Sequence, residues 1–261
     1  MMREFSRTQE APDLSISIVS HAQGDLTAQL LEDLARVCDQ IPIEVLLTKN
    51  LPEPFPFLAV NYPYPVRVVE NIAPKGFGAN HNAAFKLAKA KLFCVLNPDI
   101  RLTDNPFPVL LDMLAHRSAS VIAPAIVTPA DHVEDNARHF PTLRGIAIKL
   151  LGLGDGRYPY AIGEDVFAAD WVGGMFMLFR AEDFLAVGGF DESFFMYYED
   201  VDICTRLWKA KRRVLVCPKA QVIHDARRTS RRNLRYMKWH VASMARYFWK
   251  HWCRLPRSSA P

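Results

Sequence analysis

Residues 14–47, LSISIVSHAQGDLTAQLLEDLARVCDQIPIEVLL, decide the fold class. The apolar run Leu14–Ser20 reads as a strand. Residues 26–38 place apolar side chains at helical spacing, and 43–47 form a second short apolar run. Working outward, strands are expected at 66–69, 92–96 and 120–127, with helices at 77–90 and near 106–116. Residues 128–165 are less periodic and carry Pro129, Pro141 and Pro159, which predicts a long loop with some helix. A strand at 171–180, a helix at 199–210 and strands at 213–216 and 220–224 follow. This alternation predicts an α/β fold, a mostly parallel central sheet flanked by helices. Such sheets bind ligands beyond the carboxyl ends of their strands, so polar residues there are the first functional candidates.

The 261 residues, half of them hydrophobic, suffice for one sizeable α/β domain. Only 23% are charged, so disorder is not the default reading. The net charge of +4 is unevenly spread: ten Lys/Arg and one acid stand from Asp225 onward, leaving a deficit of −5 on the first 224 residues. The expected organisation is a polar extension over 1–13, a main domain over 14–224 and a basic amphipathic tail over 225–261, with an anionic partner for the tail. Five cysteines without a CxxC spacing favour a reducing compartment. Residues 1–13 lack an apolar signal core, and no run reaches the ~18 apolar residues of a membrane span. The expected location is cytoplasmic, with a peripheral site on the inner membrane's cytoplasmic face.

Four groups of residues carry candidate chemistry. Asp99 ends an apolar strand at Asn97-Pro98-Asp99, where a carboxylate can hold a divalent cation against a diphosphate, although Asn-Pro-Asp is also an ordinary strand exit. Residues 188–202, GGFDESFFMYYEDVD, set aromatics directly before Glu199 and Asp200, a composition suited to a sugar site in which an acid takes a proton. Acids opening a helix also suit its dipole, which accounts for one or two of them. Residues 71–82, NIAPKGFGANHN, are a weak phosphate-loop signal in which Lys75 can approach a nucleotide; a turn with a helix cap would look similar. His224 ends the last strand and is either structural or a metal ligand beside Asp99.

In this order the chain resembles family 2 glycosyltransferases of the GT-A (Rossmann-like) fold, within them the rhamnosyltransferase-like branch. The resemblance covers residues 14–250 and rests on GGFDESFFMYYEDVDICTRL (188–207), supported by NIAPKGFGANHNAAF, LNPD, DWVGGMFMLFR, His224 and RYFWKH. It implies an inverting glycosyltransferase that uses Mg²⁺ or Mn²⁺ and a nucleotide diphosphate sugar, with dTDP-rhamnose the first expectation. The acceptor would be a hydroxyl of a glycan or lipid-linked molecule in cell-surface polysaccharide synthesis. Asp200 then corresponds to the base, with Glu199 beside it, and Asp99 and His224 to the metal site. Ser20, Asn71, Lys75, Gly76, Asn82, Asn97, Asp99 and Arg206 fall to the donor side. Trp171, Gly173, Gly174 and Asp191 fall to the acceptor side. The chain departs from the pattern at His21-Ala22, where a Tyr-Asn pair is usual, and at Thr48-Lys49-Asn50, where an acid is usual.

The tail, DARRTSRRNLRYMKWHVASMARYFWKHW (225–252), repeats Leu234, Met237, Val241, Met244, Phe248 and Trp252 on one helical face among basic residues. That face suits an anionic membrane surface, or packs on the main domain, and the two can coexist. Three rivals compete. A non-enzymatic nucleic-acid or membrane binder would use the tail but leaves the acidic aromatic block unexplained, so no nucleic-acid partner is expected. A glycoside hydrolase pairs carboxylates with aromatics but fits the strand-end Asp99 less well. A catalytically silent relative is the third.

Overall fold

The computed structural model describes residues 11–225, 234–251 and 254–256. The chain opens with β1 (Leu14–Ser20), α1 (Gly24–Val37) and β2 (Ile43–Lys49). Both strands are buried nearly throughout, including Ser15, Ser17 and Glu44, because elements pack on both faces of the sheet. There follow β3 (Val66–Glu70), α2 (Phe77–Phe85), β4 (Leu92–Leu96), β5 (Ile100–Arg101), α3 (Phe107–His116) and β6 (Ala119–Val127). Next come β7 (Ala137–Arg138), α4 (Leu143–Leu150), β8 (Phe167–Ala168), β9 (Trp171–Val172) and β10 (Phe176–Arg180). The chain continues through α5 (Ala181–Ala186), α6 (Glu199–Lys209), β11 (Arg213–His224) and α7 (Leu234–His251).

The main sheet runs β3-β2-β1-β4-β10-β6-β11-β5, with β8 paired to β11. β1 to β4 are mutually parallel, and β6 and β11 are parallel to each other. β10 lies antiparallel between β4 and β6, with Phe176 opposite Leu96. This one reversed strand matters for function. Its amino end arrives at the edge where β4 ends, so residues before β10 meet residues after β4. β5 pairs antiparallel with the end of β11, setting His224 opposite Ile100, and the Asp225 amide donates to the Asp99 carbonyl at 2.9 Å.

Several expected elements differ in detail. The single strand expected over 171–180 breaks at Gly173-Gly174: β9 pairs with β7 in a separate two-stranded sheet and β10 joins the main one. The two strands expected at 213–216 and 220–224 are one strand, whose pairing with β6 slips between Cys217 and Gln221. α2 ends at Phe85, not near Ala90, because Ser15 and Glu44 draw the Lys89 amide off the helical ladder and Ser15 Oγ takes that of Ala90.

The core has two layers, one on each face of the sheet. One holds Leu14, Ile16, Leu30, Leu34 and Leu110. The other holds Phe93, Phe179, Phe184, Phe190, Phe194 and Leu207. The C-terminal helix α7 joins the second layer through Tyr247, which is fully buried and shares a 2.9 Å hydrogen bond with Thr205 of α6. Ser243 Oγ donates to the Met196 carbonyl at 2.9 Å, and His251 Nε2 meets Asp202 Oδ1 at 2.8 Å. The docked face of α7 is therefore aromatic and polar, and the expected apolar face is not the one that packs. Met237 and Val241 are exposed, Met244 and Phe248 half-buried, while the Leu234 side chain and Trp252 lie outside what is described. Among the described residues no helix is long and apolar enough to cross a membrane.

Candidate active site

Asp200 occupies the first turn of α6, which is aimed by an unusual backbone. Tyr197 and Tyr198, immediately before it, both adopt left-handed conformations, with φ of 70° and 67°. Consecutive non-glycine residues in that region cost ~1–3 kcal/mol each and persist where surrounding structure dictates them. Arg206 supplies part of that surrounding. Its Nε meets Asp202 at 2.7 Å, and its Nη2 donates to the Gly189 carbonyl at 2.7 Å. Asp202 is itself fully buried and also receives His251 and Lys250 of α7.

The Asp200 carboxylate accepts the Gly174 amide at 3.1 Å through Oδ2 and the Val201 amide at 2.8 Å through Oδ1. Burial raises it above the usual aspartate range, against those two hydrogen bonds and the charge of Arg138. Glu199 is buried, with Oε2 lacking a partner among the described residues, and burial and the Asp200 charge push it well up. The arrangement yields one carboxylate held in place and poised to take a proton at higher pH than a free aspartate. It forms part of a cleft of about 720 Å³, whose walls include Arg138, Phe140, Ile146, Trp171, Tyr198 and Met244.

A second cavity, of about 440 Å³, is lined by His21, Asn50, Lys75, Phe77, Asn97 and Asp99. Asn50 organises its wall: Oδ1 accepts the Lys75 amide at 2.8 Å and Asn71 Nδ2 at 2.9 Å, and Nδ2 sits 3.1 Å from His21 Nδ1. Of the positions that depart from the family pattern, His21 and Asn50 are thus wall residues of this cavity, and Ala22, Thr48 and Lys49 are not. At its edge, Asp99 Oδ2 lies 3.3 Å from His224 Nε2, and Glu134 Oε2 contacts the opposite nitrogen, Nδ1. Burial opposes charge on His224, but Asp99 and Glu134 outweigh it and raise the imidazole to about 9. Asp99 Oδ1 is buried without a partner among the described residues.

The structure brings together most of the residues expected from sequence, but distributes their work. Lys75, Asn97 and Asp99 line the cavity, and Asn71 braces it through Asn50 and, at 2.7 Å, Asn80. Ser20, Asn82 and Arg206 are not among its lining residues. Ser20 Oγ donates to Glu53 at 2.7 Å, and Asn82 grips the Phe190 amide and carbonyl at 2.9 and 2.8 Å. Gly76 is a packing glycine, since a Cβ there would stand 2.6 Å from the Phe195 carbonyl oxygen. On the acceptor side, Trp171 lines the Asp200 cleft and Gly174 holds Asp200. The Gly173 amide donates to the Asn136 carbonyl at 2.9 Å, and Asp191 pairs with Lys250 at 2.6 Å, outside the cleft lining. Sequence reasoning passed over Glu134 and Arg138, which stand in the weakly periodic 128–165 segment with no local pattern to mark them.

Comparison with known proteins agrees with this geometry. The model of Glycosyl transferase family 2 matches residues 15–165, and that of the N-terminal domain of galactosyltransferase matches 161–230. The rhamnosyltransferase WbbL of Escherichia coli K12 is 30% identical over 249 residues, covering 89% of this chain and 91% of that protein. An N-acetylglucosaminyl-diphospho-decaprenol L-rhamnosyltransferase of Mycobacterium tuberculosis is 29% identical over 232 residues, covering 81% of this chain and 75% of that one. The crystal structure of GalNAc-T7 with UDP, GalNAc and Mn²⁺ superposes with a TM-score of 0.65 at 14% identity, covering 85% of this chain and 45% of the other, a likeness of fold. The two carboxylate sites at one sheet edge, the fold and the matched length agree: the chain belongs to glycosyl transferase family 2, in its rhamnosyltransferase-like branch, and is a nucleotide-sugar glycosyltransferase of the GT-A fold.

Proposed function

We propose that the enzyme transfers rhamnose from a nucleoside diphosphate donor, dTDP-rhamnose first among them, to a hydroxyl of a glycan or lipid-linked acceptor, inverting the anomeric configuration. The single observation carrying this reading is the Asp200 carboxylate, held by two backbone amides in a cleft beside the cavity that ends at Asp99 and His224. Asp200 takes the acceptor's hydroxyl proton as that oxygen attacks the anomeric carbon. The bond from that carbon to the diphosphate oxygen breaks on the opposite face, and its electron pair leaves with the diphosphate. One displacement needs no covalent sugar–enzyme intermediate. Asn50, Asn71 and Lys75 shape the wall for the nucleotide, and Trp171 offers an aromatic wall to the acceptor.

A divalent cation, Mg²⁺ or Mn²⁺, suits the Asp99–His224 pair. Among the described residues one buried Asp99 oxygen lacks a partner there, and a carboxylate oxygen is a donor for either ion; His224 would have to release its Nε2 proton to join it. Among the described residues no cluster of three acidic, His or Cys side chains would hold a metal, so donor phosphates and water would complete the coordination. When bound, the ion would neutralise charge developing on the departing diphosphate. The Escherichia coli and mycobacterial relatives, both rhamnosyltransferases, support a rhamnosyl donor, the mycobacterial one a lipid-linked acceptor, and the Mn²⁺ in the GalNAc-T7 crystal supports the metal. The enzyme would act at the cytoplasmic face of the inner membrane, its C-terminal tail against the anionic surface.

The test is a thermal-stability screen against nucleoside diphosphates and nucleotide sugars, with and without Mn²⁺. A ligand at a hundredfold excess over its Kd stabilises the fold by ~2.7 kcal/mol. A Mn²⁺-dependent shift with thymidine nucleotides supports the reading; shifts confined to uridine or guanosine nucleotides would sink the donor assignment.

A further inference from the structure

Two helices flank the Asp200 cleft, and both present apolar, acid-free surface to water. α4 lends the cleft Ile146, Ile148 and Lys149, and α7 lends it His240 and Met244. Neither helical sequence, LRGIAIKL or LRYMKWHVASMARYFWKH, contains an acid. Around them Leu143, Leu151, Leu153, Met237, Val241 and Trp249 are between 52% and 87% exposed. In α7 these side chains are not the overflow of a core-facing stripe, because the face that docks is the aromatic and polar one of Ser243, Tyr247 and His251. Lys250 is held by Asp191 and Asp202, whereas Arg144, Lys149, Lys238 and Arg246 have no ion pair among the described residues.

We propose that α4 and α7 form one docking surface for an anionic phospholipid bilayer, setting the mouth of the Asp200 cleft at the lipid headgroups. This deepens the reading of that cleft as the acceptor site and rests on it. The charge pattern selects the occupant. Apolar side chains with an exposed Trp suit the headgroup–acyl boundary, and cations outside any ion pair among the described residues suit anionic headgroups. A second copy packed on this face about a two-fold axis would bring the same unpaired cations against one another. An apolar cleft opening at the membrane also lets a lipid-linked acceptor present its hydroxyl to Asp200 while its chain stays in the bilayer. The tail alone would tether the protein; the second helix fixes which way the cleft faces.

The experiment sediments the full chain with phosphatidylcholine vesicles and with vesicles containing phosphatidylglycerol, at low and high salt. The expected result is binding to the anionic vesicles that weakens with salt and falls ~10-fold or more in the double variant Leu151→Asp, Leu153→Asp. Lys238→Gln and Arg246→Gln should each weaken it ~5-fold. These positions are exposed and outside both cavities, and an unchanged thermal shift with nucleoside diphosphate and Mn²⁺ verifies that each variant is folded. Vesicle binding that ignores the double variant at Leu151 and Leu153, just past the end of α4, would overturn the two-helix surface. Failure to bind either vesicle, or a dimer in solution that the same variant dissociates, would overturn the bilayer as occupant. A wild-type protein that binds vesicles but shows no nucleotide shift would count against the transferase reading, not the docking surface.

Discussion

At the scale of single residues, Asp200 and Glu199 share a buried turn yet stand differently. Asp200 has two amides that favour its ionised form, whereas Glu199 keeps one oxygen with no partner among the described residues. Asp200→Asn should lower kcat ~10²–10⁴-fold without abolishing Mn²⁺-dependent nucleotide binding; a variant that transfers normally would put the base elsewhere. Both carboxylates are raised in the folded state, so folding favours their protonated forms. Their contribution to stability is present below the ordinary carboxylate range and is lost as pH rises through the raised values. Glu199→Gln should therefore melt higher than wild type at neutral pH, by ~2–4 °C for each kcal/mol relieved, with the advantage shrinking as the pH is lowered. Melting curves across pH check this, and a lower Tm at neutral pH would reveal an ionic partner for Glu199. The aromatic-then-acidic composition of 188–202 made Asp200 legible in sequence. Its partner Gly174 was legible only as part of a segment, because a backbone amide carries no residue signature.

At the scale of elements, loops and caps hold the chemistry in register. Glu134 follows β6 and contacts Nδ1 of His224, leaving Nε2 turned to Asp99. Glu134→Ala should weaken Mn²⁺ affinity ~10–100-fold by calorimetry while the metal-free protein stays folded. Unchanged affinity would mean that the backbone of β11 alone orients the imidazole. Helix α7 braces α6 through Tyr247, Ser243 and His251. Tyr247→Ala should cost ~3–5 kcal/mol in denaturant unfolding, the range for emptying a buried aromatic site. A loss below ~1 kcal/mol would mean that α7 is dispensable to the fold. The helical period of the tail was visible in the sequence, but not which face docks. Periodicity ranks faces by hydrophobicity, whereas α7 docks on a surface that already offers Asp202 and Thr205, so Tyr247 and His251 outcompete Met237 and Val241.

At the scale of the whole molecule, the strand order turns distant segments into one site. Reversed β10 brings Gly174 to the edge where β4 delivers Asp99, and β11 brings His224 to the same edge. The proposed reaction places nucleophile and leaving group in separate clefts and joins them by a single displacement. Product anomers followed by NMR should be inverted relative to the donor, and retention would exclude this mechanism. The sequence by itself determined the α/β class and the mostly parallel sheet, and it singled out Asp99, Asp200 and His224 as candidates, because hydrophobic period and strand-end acids are local properties. Tertiary structure alone decided that β10 runs backwards and that 171–180 breaks at Gly173-Gly174. It also decided that Glu134 meets His224, that Arg138 lines the Asp200 cleft, and that Asn82 and Arg206 lock the acidic block without lining the cavity beside Asp99. Those outcomes depend on packing and hydrogen bonding between residues as much as 125 positions apart in the chain, a scale on which no local pattern in the sequence reports.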